Sequence, residues 1–78
     1  MSDEMSNVID ECRGAFGVNG DISYRTAKAI LRWYKVDAEP TDVGTLAYVV
    51  KLKKQAVSSD ARLCLEMLYR WVWRNMSK

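Results

Sequence analysis

From Ser59 to Met76 no glycine or proline interrupts the chain, and most of the positions are apolar. Ser58-Ser59-Asp60 ahead of it is an N-cap signal, so the spacing predicts a helix over 59–76. Arg62, Glu66, Arg70 and Arg74 step by four along it and trace one slowly rotating polar stripe. The rest of its circumference is apolar: Leu63, Cys64, Leu65, Met67, Leu68, Tyr69, Trp71, Val72, Trp73 and Met76. A helix of that composition is expected at the centre of a core. The chain has 78 residues, too few to enclose one helix readily on three sides. Part of this helix is therefore expected to face outward, and Cys64, Leu68, Trp71 and Val72 form its best core face.

Three further amphipathic segments supply the packing partners. Met5, Val8, Ile9, Cys12, Ala15 and Phe16 recur at three- and four-residue spacing, which predicts a helix over 3–16. Asp3 and Glu4 suit its first turn, where the helix dipole favours negative charge. Gly17 is expected to take the left-handed stop, with Val18 folding back onto the last turn and Asn19-Gly20 as a tight turn. A second helix is expected over 23–36, capped by Asp21 or Ser23, with Tyr24, Ala27, Ile30, Leu31 and Tyr34 on its apolar face. Pro40 marks a loop in residues 37–42, because the residue before proline is pushed out of helical geometry. A third helix is expected over 41–55, carrying Val43, Leu46, Ala47, Val49, Val50 and Leu52. Its Tyr48-Val49-Val50 stretch also suits a strand, but no partner strand is in sight. The fold class expected is all-α: one domain over 1–78, a small compact bundle of about four helices with short loops.

Composition narrows the function classes. Hydrophobic residues make up 49% and charged residues 28%, a globular balance. No apolar run is long enough for a transmembrane helix, so no membrane partner is expected. The start Met1-Ser2-Asp3-Glu4 lacks the basic and apolar regions of a signal peptide. A cytoplasmic protein with reduced thiols is expected, of the stand-alone small type common in phages and mobile elements. The chain has no histidine, which removes the commonest general base and metal ligand. Its two cysteines, Cys12 and Cys64, form no metal-binding spacing, and each lies on an apolar face, where buried thiols or a disulfide are the readings. Asp10 and Glu11 are adjacent and point about 100° apart on a helix, so they make no catalytic pair. No glycine-rich phosphate loop is present. No enzyme activity, no cofactor and no metal are expected.

Two surfaces carry the expectation of binding. Tyr69 and Trp73 lie one turn apart beside the arginine stripe. Together with Arg70, Arg74 and Met76 they form a candidate protein-binding patch, since Trp, Tyr and Arg dominate interface energetics. The second surface is basic. The net charge is only +2, but it is segmented: residues 1–21 are acidic, 22–36 basic, 37–42 acidic. Arg25, Lys28, Arg32 and Lys35 fall within about an 80° arc of the second helix. Such a stripe suits phosphates or an acidic protein surface, unless the acidic first helix neutralises it.

The first two segments bear a partial resemblance to the DNA-binding helix-turn-helix motif. Gly17-Val18 would form the turn and Ser23, Tyr24, Arg25 and Lys28 would face DNA. Gly17 to Ile22 is one position shorter than the motif's usual spacing, and Arg13 stands where it wants a small residue. The leading expectation is a non-enzymatic protein-binding module, a small regulator or inhibitor of a larger protein or nucleoprotein machine. A DNA-binding transcriptional regulator led by helices one and two is the alternative. A self-assembling subunit that completes the apolar last helix with copies of itself is a third reading, with a homodimer as its simplest form.

Overall fold

A computed structural model describes residues 2–76 of the chain, with side chains from Glu4 to Met76. Four helices follow one another: α1 (Ser2–Gly17), α2 (Tyr24–Trp33), α3 (Thr45–Gln55) and α4 (Ser59–Met76). The protein is a small all-α bundle. The Asp3 side chain, expected in the first turn of α1, lies outside the described residues. Asn19, and not Gly17, adopts the left-handed conformation that ends α1, with φ 55°. The Asn19 N–H reaches the Phe16 carbonyl at 3.2 Å and the Gly20 N–H reaches that of Ala15 at 2.7 Å. This is a Schellman stop, and asparagine tolerates the left-handed geometry better than most residues. Placed two residues further on, the stop turns Val18 out into solvent instead of back onto the helix.

The second helix ends earlier, and the third starts later, than expected. α2 ends at Trp33 because Lys35 takes a left-handed conformation, φ 59°. The Lys35 N–H bonds the Arg32 carbonyl and the Val36 N–H bonds that of Leu31, both at 2.9 Å, a second Schellman stop. Val36 then packs against the core, which repays part of the strain. Ser23 caps α2, its hydroxyl accepting from the Thr26 N–H at 3.2 Å. Asp21, the other candidate cap, is engaged elsewhere. α3 starts at Thr45, four residues later than the periodicity suggests. Pro40 is buried, the Asp42 N–H donates to the Glu39 carbonyl at 3.0 Å, and the buried Thr45 hydroxyl donates to the same carbonyl at 2.6 Å. Residues 39–44 thus form an ordered loop, and Val43 is left exposed. Within α3 only Val49 and Thr45 are buried, with Leu46 and Leu52 partly so. Ser58 caps α4, accepting from the Ala61 N–H at 3.1 Å.

α4 is the hub. α1, α2 and α3 all pack on it; α1 and α2 also touch each other, and α3 touches α4 alone. Three helices thus pack on the most apolar helix of the chain, while part of it, Trp73 included, still faces outward as expected. Cys64, Leu65, Met67, Leu68 and Val72 of α4 are fully buried against Val8, Cys12, Ile22, Ala27, Ile30, Leu31 and Val49. Trp71, expected in that core face, is only partly buried at its edge. Among the described residues no helix is long and apolar enough to cross a membrane.

Candidate contact surfaces

The uncovered side of α4 follows from helix geometry. With the buried residues centred between Cys64 and Leu68, positions 62, 66, 69, 70 and 73 turn away from the core. Glu66 lies at the middle of this face. Its carboxylate accepts from the Lys53 ammonium of α3 at 2.8 Å and from the Arg70 guanidinium at 3.1 Å. The Lys53 hydrogen bond holds the Glu66 carboxyl below the usual carboxylate range, against the opposing effect of partial burial. Lys53 also sits over the Tyr69 ring, 4.4 Å from its centroid, and Arg70 sits over the Phe16 ring of α1 at 5.2 Å. One band of alternating charge and aromatic surface therefore crosses α1, α4 and α3.

The patch expected at the end of α4 divides. Tyr69 is partly buried under Lys53. Trp73 is 53% exposed, and Met76 is exposed. Arg70 is held by Glu66, and Arg74 is ion-paired with Asp21 from the α1–α2 loop. Phe16 joins the surface, although its spacing had placed it in the core. Helix angle does not explain this: Phe16 stands only about 40° beyond the buried Cys12, short of the partly buried Ile9. It sits in the last turn of α1, which the sequence did not show to be uncovered. The Glu66–Lys53 link was not legible there either, because it depends on how α3 crosses α4.

The basic stripe expected on helix two divides as well: Arg25, Lys28 and Arg32 lie on α2, but Lys35 falls beyond its end in a left-handed turn and off the helical arc. Lys28 is ion-paired with Glu39, and the same carboxylate accepts from the Tyr24 hydroxyl. Lys28 comes first and Tyr24 second in holding Glu39 below its usual range, while Glu39 raises both Lys28 and Tyr24. The neutralising acid thus comes from the loop before α3 and not from α1. The Tyr24 ring packs on Trp71 at 5.9 Å and 51°. Among the described residues no carboxylate pairs with Arg25, Arg32 or Lys35, and all three are exposed. Arg25 and Arg32 line a groove of about 340 Å³ between α1 and α2, with Glu4 and Glu11 on the opposite wall. Trp33 is half-exposed beside Arg32. Glu11 does not reach the arginines: it accepts from the Ser23 N–H and the Thr26 hydroxyl, closing the N-terminus of α2.

Cys12 and Cys64 are both fully buried, as free thiols. They lie in one core cluster where α1 packs on α4, and their mutual interaction raises the Cys12 thiol and lowers that of Cys64. No family model, curated protein or solved structure matches this chain.

Proposed function

We propose that the protein is a non-enzymatic binding module that docks a protein partner on the outer face of α4, acting as a regulator or inhibitor of that partner. One observation carries the reading. Trp73 presents about half its surface to solvent, on the same face as Arg70 and one residue from Arg74, and both arginines are already held in place by carboxylates. Tryptophan and arginine are the residue types that most often dominate interface energy. Ordering a long side chain at an interface costs about 0.5–1.5 kcal/mol. Here folding has already ordered both arginines, so a partner meets a pre-arranged surface with an apolar centre and a charged rim.

Affinity capture from the source cells tests this, with wild-type, Trp73→Ala and Trp33→Ala proteins, each with and without nuclease. The expected result is a protein captured by wild type and by Trp33→Ala, insensitive to nuclease and lost with Trp73→Ala. Capture that survives Trp73→Ala would overturn the reading. The nucleic-acid alternative rests on Arg25 and Arg32 of α2 and on Lys35 just beyond its end, which have no carboxylate partner among the described residues. Against it stands Glu39, which places a negative charge beside Tyr24 and Lys28, two of the side chains a helix-turn-helix reading would send to DNA.

A further inference from the structure

We propose that Cys12 and Cys64 are a dithiol–disulfide couple, oxidised by low-molecular-weight disulfides such as glutathione disulfide, whose closure fastens α1 to α4. The chain has two cysteines. They lie fifty-two positions apart in sequence, yet both are completely buried in one core cluster, on two helices that pack together, and each shifts the acidity of the other. No other intramolecular partner exists for either. The pair belongs to one core cluster with Val8 and Leu68, so a bond between them would join two helices that already touch.

Burial keeps reagents away from both sulfurs while α1 is docked. α1 is the helix placed to lift. It packs on α4 and α2 only, and its anchors outside the core are Arg13–Asp60 at 2.8 Å, Arg70 over the Phe16 ring and the Glu11 contacts to α2. Local opening of this kind is how buried groups meet solvent reagents without global unfolding. The chemistry then balances in two steps. The Cys64 thiolate attacks one sulfur of the disulfide reagent, forming a mixed disulfide and expelling one thiolate. As α1 returns, Cys12 loses its proton and attacks the Cys64 sulfur, expelling the second. The two protons end on the two released thiols. The protein loses two electrons and the reagent gains them.

Incubating the full chain with glutathione disulfide just below its melting transition, then alkylating and weighing it, tests the proposal. The expected product is a monomer lighter by two hydrogens, with Cys12 and Cys64 joined in a proteolytic digest. Its melting temperature should rise by about 10 °C, since the bond closes a long loop. Cys12→Ala lacks the resolving thiol and should stop at a glutathione adduct on Cys64. Wild-type chains that stay reduced, keep glutathione adducts, link between molecules or melt lower when oxidised would each overturn the proposal.

Discussion

The Glu11 carboxylate of α1 accepts a 2.6 Å hydrogen bond from the Thr26 hydroxyl of α2, and its other oxygen accepts from the Ser23 N–H at 2.8 Å. One acid therefore closes the first turn of the next helix, in the position where the helix dipole favours negative charge. Partial burial opposes ionisation of Glu11, but the Thr26 and Ser23 hydrogen bonds outweigh it and lower its pKa. Glu11→Ala leaves the buried Thr26 hydroxyl without its carboxylate acceptor. Urea denaturation should show a loss of about 1–2 kcal/mol.

Acid should unfold the protein through the same kind of group. Glu11, Glu39 and Glu66 all have lowered pKa values in the folded state. A lowered carboxyl contributes stability above its unfolded pKa, about 4.3 for glutamate, and loses it as pH falls through the folded value. Melting temperature followed from pH 7 downward should hold until about pH 5 and then fall. In Glu66→Gln the acid-induced drop should be smaller.

Trp73→Ala should leave far-ultraviolet circular dichroism nearly unchanged while abolishing partner capture, because half of the ring is already in water. Loss of helicity in this variant would assign Trp73 to the fold alone. Leu68→Ala is the contrasting case. Leu68 is completely buried at the hub helix, and the variant should lose about 3 kcal/mol in denaturant titration.

Lys35→Gly should stabilise the protein. Lys35 is exposed and left-handed at φ 59°, a conformation that costs a side-chain-bearing residue about 1–2 kcal/mol. Glycine removes that cost and gives back part of the gain as chain entropy. A net gain of about 0.5–1 kcal/mol is expected in urea titration, with Lys35→Val shifting the midpoint the other way.

Glu39→Gln should release Lys28 to join Arg25, Arg32 and Lys35. On immobilised heparin the variant should elute at higher salt than wild type, by the counterion-release relation. Unchanged elution would mean that α2 and the turn after it do not present these cations together.

The four-helix fold, the caps at Ser23 and Ser58, and the position of α4 were legible because each depends on neighbours within one or two turns. Helix ends were less so. Gly17 and Asn19 both suit a left-handed stop, and the turn into α2 selected Asn19. At Lys35 no local residue announces a stop; Val36 reaching the core imposes it. The candidate contact residues were chosen by type and spacing, which say nothing of which ones are ion-paired. Asp21 and Arg74, and Glu39 and Lys28, are paired by packing between distant segments.

By itself, the sequence determined that the chain is helical, that its last helix carries the core, and that an arginine-and-aromatic face and a basic face exist. Hydrophobic periodicity and capping are local, and local order is written in consecutive residues. The tertiary structure alone decided which charges are spent. It used Glu39, Glu66 and Asp21 to hold Lys28, Arg70 and Arg74, left Arg25 and Arg32 beside a groove, turned Phe16 outward, and brought Cys12 against Cys64. Ion pairs and thiol contacts need side-chain ends within a few ångströms, and only the crossing of the helices sets those distances.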